Sequence, residues 1–308
     1  MAARRLDGLA MMLVTLLCAL WGLQQVAVKV AVSGGLPPVF QAGMRSGVAA
    51  LLLCAWVRLR DGSAGLAVLL RRDATWRPGL VMAAIFAFEF LCLFPGLRLT
   101  TASRGVVFLY TAPFFTALGA HVFLPGERLH RRQALGLAVA FSGVAIAFAD
   151  GLRGGGGSMA GDALCLLAAI GWGANTVLAK ASPAMSRAPA SKVLLFQLAG
   201  SAPILLAFSF GLGELGEWPE ATGLAWAGLT YQTVIVAFAS YLAWFWLVLA
   251  YPAGQLAAFT FLTPLFGILA GSLLLGEHAG MPVVMGLAAI AAGLWLLNAP
   301  ARLARQAG

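Results

Sequence analysis

The sequence predicts an all-α integral membrane protein of ten transmembrane helices, arranged as two inverted five-helix repeats. Three observations carry that expectation. Hydrophobic residues fill 61% of the 308 positions and charged residues only 10%, whereas a soluble domain carries roughly a quarter charged. The apolar residues fall into runs of membrane-crossing length with short polar turns between them. The second half of the chain repeats landmarks of the first at a nearly fixed offset.

A hydrocarbon crossing takes roughly 20 mainly apolar residues. Such runs lie near 9–30, 38–57, 79–98, 103–123, 133–150, 161–181, 191–211, 223–249, 253–275 and 281–299. The first follows Arg4 and Arg5 and could pass for a signal peptide. Its full-length counterpart in mid-chain argues against cleavage. Gly34-Gly35 with Pro37-Pro38 turns the chain into the second run. Arg98 and Arg104 flank the short turn before the fourth and read as interfacial anchors, and Pro125-Gly126 precedes the fifth. The glycines from Gly154 to Gly157 read as a flexible connector. They divide the chain into a first repeat at 1–150, a connector at 151–157 and a second repeat at 158–308. Pro183 with Pro189 separates the sixth and seventh runs, and Trp218-Pro219 precedes the eighth.

The net charge of +9 is a matter of topology, because Lys and Arg gather in cytoplasmic loops. One side of the membrane receives Arg4, Arg5, Arg58, Arg60, Arg71, Arg72, Arg77, Arg128, Arg131, Arg132, Lys180, Arg187, Lys192, Arg302 and Arg305. The other receives Lys29, Arg98, Arg104 and Arg153, with Glu214, Glu217 and Glu220 beside them. Both termini are therefore expected in the cytoplasm, and no nucleic-acid partner is expected. Cys18, Cys54, Cys92 and Cys165 are isolated in apolar runs and indicate neither disulfides nor zinc. His121, His130 and His278 lack metal-ligand spacing. Gly211, Gly213 and Gly216 satisfy G-x-G-x-x-G without a preceding strand, and there is no phosphate-binding loop, so no cofactor or metal is expected.

The repeat is ordered. Trp21-Gly22 with Lys29 recurs as Trp172-Gly173 with Lys180, and Phe108 and Pro113 recur as Phe259 and Pro264, all displaced by 151 positions. Gly126-Glu127, Gly136 and Gly143 recur as Gly276-Glu277, Gly286 and Gly293, displaced by 150. An odd number of spans per half makes the second half insert upside down. Inverted repeats of this kind place a substrate site near the bilayer midplane and permit alternating access, although some such proteins are channels.

On these landmarks the chain resembles the ten-span EamA family of the drug/metabolite transporter (DMT) superfamily. The matching features are the Trp-Gly pair opening each half, Pro113 and Pro264 in the fourth span of each half, and the Gly-Glu turns at Gly126-Glu127 and Gly276-Glu277. The resemblance covers nearly the whole chain and implies export or exchange of amino acids or related small metabolites across a bacterial inner membrane. Phe88-Glu89 also looks like the Tyr-Glu of some aromatic amino-acid exporters in this group, with Phe in place of Tyr.

Glu89 lies near the middle of the third run, where an ionised side chain costs about 2.5–3.5 kcal/mol on insertion scales. It reads as a cavity carboxylate that contacts substrate or cycles a proton; the structural alternative is a hydrogen-bonded group between helices. Arg45, inside the second run, reads equally as a substrate contact or as a helix lock. Trp21, Gln24 and Gln25 match Trp172, Asn175 and Thr176, and amides on symmetry-related helices suit amino and carboxylate groups. Tyr110 and Thr263 stand before Pro113 and Pro264, two expected helix kinks, and Tyr241 and Trp244 are the favoured pair of an aromatic cluster. Trp21, Gln24, Gln25, Arg45, Glu89, Tyr110, Trp172, Asn175, Tyr241, Trp244 and Thr263 are thus the expected cavity residues, with Glu89 the proton-coupling candidate. Lys29 and Lys180 read as snorkelling to the interface, and Glu127 and Glu277 as turn residues. Gly267 and Gly271 form G-x-x-x-G, which permits a homodimer contact or close internal packing. The expected partners are a small-molecule substrate and the lipid bilayer. A secondary transporter, acting as an exporter, is the leading reading; an integral-membrane enzyme acting on lipid or isoprenoid substrates and a non-transporting receptor are the alternatives.

Overall fold

The computed structural model describes residues 6–100, 102–149, 158–214, 220–275 and 281–298. The expected connector at 151–157, Arg4, Arg5, Arg153, Glu217, Trp218-Pro219, Gly276-Glu277, His278, Arg302 and Arg305 lie outside them. Among the described residues the regular structure is entirely helical. That follows from the apolar runs, since a backbone in lipid must satisfy its hydrogen bonds internally.

Helix α1 spans Gly8–Ser33, α2 Pro38–Leu70, α3 Trp76–Leu99, α4 Ala102–Leu109, α5 Ala112–Phe123 and α6 Arg131–Ala147. After the connector come α7 Met159–Ala181, α8 Ala190–Gly211 and α9 Gly223–Tyr231, a π-helical run Gln232–Ser240 and α10 Tyr241–Ala250. Then follow α11 Ala253–Phe259, a 3₁₀ turn Thr260–Leu262, α12 Thr263–Leu275 and α13 Met281–Asn298. Among the described residues, eight helical stretches are long and apolar enough to cross a membrane. The expected spans at 133–150 and 281–299 correspond to the shorter α6, of 17 residues, and α13, of 18.

Helix starts carry the caps that the sequence offers. The Asp7 carboxylate accepts from the Ala10 N–H at 2.9 Å, Ser158 from Gly161 at 3.1 Å and Thr222 from Ala225 at 3.2 Å. Pro37 has no side chain that can cap α2, and Glu214 does so from a distance, accepting from the Phe40 N–H at 2.9 Å. Gly35 turns α1 into α2 at a φ of +101°, a left-handed conformation that a side chain would strain.

Both expected proline kinks coincide with helix breaks. Pro113 sits in the first turn of α5, just after the break at Tyr110-Thr111. Pro264 sits in the first turn of α12, just after the 3₁₀ segment.

The packing pairs early helices with late ones: α1 against α12 and α9, α7 against α5 and α3, α2 against α8, and α6 against α13. Glycines set the closest approaches. A Cβ on Gly22 would lie 2.6 Å from Phe266 Cβ, and one on Gly173 would lie 2.8 Å from Phe115 Cβ. Helices α6 and α13 run antiparallel with Gly136 against Gly293 and Gly143 against Gly286; a Cβ on Gly143 would meet the Gly286 carbonyl at 2.6 Å. Gly267 faces Gly22 and Gln25 of α1, so this glycine serves internal packing. Large apolar side chains such as Met12, Leu51, Leu118, Val122 and Leu273 remain exposed on the helix surfaces, as lipid contact requires.

Polar contacts tie the two ends. At the Asp7 end, Lys180 forms an ion pair with Glu127 and donates to the Tyr251 carbonyl, while the Tyr251 hydroxyl donates to Asp7 at 3.0 Å. Lys180 therefore does more than snorkel: the turn at Pro125-Gly126 brings a carboxylate over its helix end. At the Pro38 end, Arg104 forms an ion pair with Asp162, which also accepts from Thr100 Oγ1 at 2.7 Å. Arg104 is thus held by a carboxylate on α7 in addition to its expected interfacial place.

Candidate functional site

Where α1, α3, α7 and α10 meet, they enclose a cavity of about 120 Å³. Trp21 lines it and is the hub of its aromatic contacts. Its ring makes edge-on contacts with Trp172, Tyr241 and Trp244 at centroid distances of 6.3, 6.1 and 5.4 Å, and Tyr110 meets Trp172 at 5.8 Å. The Trp21 indole N–H donates to Ser240 Oγ at 2.8 Å, and Ser240 donates onward to the Val236 carbonyl at 2.7 Å. Ser240 closes the π-helical run. That run, a geometry common at functional sites, thereby fixes the ring on which the aromatic box is built.

A second compartment of about 110 Å³ adjoins the first toward the Pro38 end, sharing Gln24, Gln25, Phe90, Leu93, Leu109 and Tyr110 as common wall. Arg45 lines it, 3% exposed, with its guanidinium 4.7 Å from the centre of the Phe90 ring. The Nε and Nη2 atoms of Arg45 have no hydrogen-bond partner. Glu89 lines the first compartment and is buried there; the two charged groups lie within electrostatic range, with no ion-pair contact between them. Arg45 also approaches the Tyr241 hydroxyl.

The cavity amides divide into two sets. In the second compartment Gln232 Nε2 donates to Gln41 Oε1 at 2.9 Å and Gln41 Nε2 donates to the Leu36 carbonyl at 2.8 Å. In the first, Asn175 Nδ2 donates to the Met82 carbonyl at 3.3 Å, which leaves Asn175 Oδ1 buried without a donor; Gln197 Oε1 is likewise unpartnered. Residues in the wall of one compartment thus carry unmatched acceptors and a residue in the wall of the other carries unmatched donors, all of them covered in this structure.

Of the residues singled out from sequence, Trp21, Gln24, Gln25, Glu89, Tyr110, Trp172, Asn175, Tyr241 and Trp244 line the first compartment and Arg45 the second. Thr263 lines neither. It is fully buried behind the wall, beside Tyr110 and Cys18. Sequence reasoning passed over Gln41, Gln197 and Gln232; their signal was the same as for Gln24, a polar amide inside an apolar span. A larger groove of about 500 Å³ between α3, α5 and α7 is lined by apolar residues alone and offers nothing to a polar ligand. Among the described residues no three His, Cys, Asp or Glu side chains gather as a metal site would need.

The model of the EamA-like transporter family matches the chain twice, over residues 8–149 and 159–299. The chain belongs to the EamA-like transporter family. Relatives agree with that membership. The chain is 30% identical over 299 residues to a protein of Escherichia coli (strain K12) named "Probable amino-acid metabolite efflux pump", covering 95% of this chain and 94% of the relative. A Salmonella typhimurium protein of the same name is 30% identical over 298 residues, covering 95% and 94%. A solved crystal structure superposes with a TM-score of 0.80 at 20% identity, covering 98% of this chain and 99% of that one, which establishes the fold alone. Family membership and the apolar helices make the protein a multi-pass membrane transporter.

Proposed function

We propose that this EamA-family protein is a secondary transporter that exports amino acids or related small polar metabolites across the inner membrane, by alternating access between two inverted five-helix halves. The observation that carries the reading is the double cavity, in which Trp21 and Trp172, equivalent positions of the two halves, face each other beside a buried carboxylate and a buried guanidinium. Its compartments, about 120 and 110 Å³, fall well below the roughly 300–1,000 Å³ of pockets for drug-sized ligands, which favours a small metabolite. The names of the Escherichia coli and Salmonella relatives favour amino-acid metabolites.

Reciprocal packing supports the inverted arrangement of ten spans. Gly22 packs on Phe266 while its equivalent Gly173 packs on Phe115, the equivalent of Phe266; Gly136 meets Gly293 while Gly143 meets Gly286. A two-fold relation between halves produces such exchanged pairs. The excess of Lys and Arg at the Asp7 end favours cytoplasmic termini. On that orientation the Glu127–Lys180 pair and the Tyr251–Asp7 bond latch the cytoplasmic mouth, and opening inward requires them to part.

Counterflow uptake of a labelled panel of amino acids and their metabolites into proteoliposomes tests the reading. Saturable uptake of at least one member is expected, and its dependence on a pH gradient is expected to disappear in Glu89→Gln. Binding without flux would replace the transporter with a receptor, and chemical conversion of a lipid would replace it with an enzyme.

A further inference from the structure

Two buried cations in this protein are treated differently. Lys192, 2% exposed, is fully used: its Nζ donates to the Val68 carbonyl at 3.2 Å, the Arg71 carbonyl at 2.9 Å and Asp73 Oδ2 at 2.7 Å. That is how a cation locks helices together. Arg45 is as deeply buried, yet Nε and Nη2, an adjacent pair of donors on one guanidinium edge, meet no acceptor, and the residue borders a cavity. A guanidinium edge is shaped to hold a carboxylate by two parallel hydrogen bonds. The Gln41 amide oxygen does not fill that role, because it accepts from Gln232 Nε2.

The opposite compartment has the complementary pattern. Glu89, Asn175 Oδ1 and Gln197 Oε1 are all acceptors that line it, and the two amide oxygens are buried without donors. An ammonium group, a cluster of donors with no acceptor, matches that set. The same compartment holds the rings of Trp21, Trp172, Tyr241 and Trp244, which accept an apolar side chain.

We propose that Arg45 is the carboxylate subsite of the cavity, and that the substrate is an α-amino acid zwitterion lying with its carboxylate toward the Pro38 end and its ammonium toward Glu89, Asn175 and Gln197. The assignment rests on the transport reading and adds to it a recognition element and a direction. It excludes amines and esters as good substrates, since an amine leaves the Arg45 donors unmatched and an ester offers a neutral carbonyl in place of the charged, two-oxygen acceptor.

The test is competition, by unlabelled analogues, against counterflow of the best substrate of the panel. The probes are L-phenylalanine with its methyl ester, 2-phenylethylamine and 3-phenylpropionate, and L-leucine with its methyl ester and isoamylamine. Loss of charge-assisted hydrogen bonds is expected to weaken the esters and amines by about ten- to a hundredfold relative to the parent acids. 3-Phenylpropionate, lacking the ammonium, is expected to fall short of phenylalanine as well. Arg45→Gln is expected to abolish the preference for acid over ester, with Arg45→Lys retaining part of it. Esters and amines competing as well as the acids overturn the subsite while leaving transport in place, and the wild-type series decides this even if Arg45→Gln does not fold. An unchanged preference in a well-folded Arg45→Gln also overturns it. Absence of flux for the entire panel overturns the transport reading itself.

Discussion

Buried charges decide the chemistry of this protein one residue at a time. Lys192 is satisfied at the membrane edge by Asp73, whose other oxygen accepts from Thr75 Oγ1 at 2.6 Å and from the Thr75 N–H at 3.0 Å. The Lys192 hydrogen bond first, and the Thr75 bonds second, hold the Asp73 carboxyl well below the usual carboxylate range. A folded-state value below the unfolded one makes its contribution complete above about pH 4–5 and lost progressively in stronger acid. Asp73→Asn should therefore lower the melting temperature in detergent at pH 7, with the gap to wild type narrowing progressively below about pH 4; a gap independent of pH would refute the coupling. Much of the cavity was legible at this scale, because Glu89, Arg45 and Asn175 are polar groups in apolar runs, where each needs a reason. Thr263 differs from these: its hydroxyl is buried without a hydrogen-bond partner, but it sits behind Tyr110 and borders neither compartment. The role of Lys180 is not visible in sequence, because its partner, Glu127, is distant in the chain and arrives through a tertiary turn.

At the scale of elements, glycine spacing and helix breaks determine how close the walls stand. The α6–α13 pair packs backbone to backbone through Gly136, Gly143, Gly286 and Gly293. Gly143→Ala must push the helices apart and should cost about 1–3 kcal/mol, the usual penalty of overpacking. The double variant Gly143→Ala/Gly286→Ala should cost more than either single one, whereas Gly8→Ala, with open space around it, should leave the melting temperature unchanged. Thermal unfolding followed by tryptophan fluorescence reads both. The breaks at Tyr110-Thr111 and Thr260–Leu262 were legible from Pro113 and Pro264, since proline inside a continuous helix would remove a hydrogen bond, whereas the first turn of a new helix accepts it. The π-helical run Gln232–Ser240 was not legible: its residues, QTVIVAFAS, are ordinary for a membrane helix, and the wider turn becomes visible only where Ser240 meets Trp21. In sequence Glu214 belongs to an acidic outer cluster, and its capping of α2 depends on a contact between residues 174 positions apart.

At the scale of the whole molecule, the sequence repeat and the exchanged packing of helices describe one arrangement. Early helices rest on late ones, and the cavity forms where the two sets meet, close to the middle of α1, α3 and the Gly223–Ala250 stretch. The repeat was readable because its landmarks are rare residues in fixed order; the cavity was only partly readable because amides such as Gln41 and Gln232 reveal their roles through each other. The central claim is that flux passes through this cavity, and filling it is the most direct test. Gln24 lines both compartments, so Gln24→Trp should occupy the shared wall, while Leu16→Trp adds the same bulk on the exposed face of the same helix. Counterflow in proteoliposomes is predicted to fall at least tenfold, about 1.4 kcal/mol of transition-state stabilisation, in Gln24→Trp and to stay at the wild-type rate in Leu16→Trp. Equal rates in Gln24→Trp and wild type, with both proteins folded, would contradict the account.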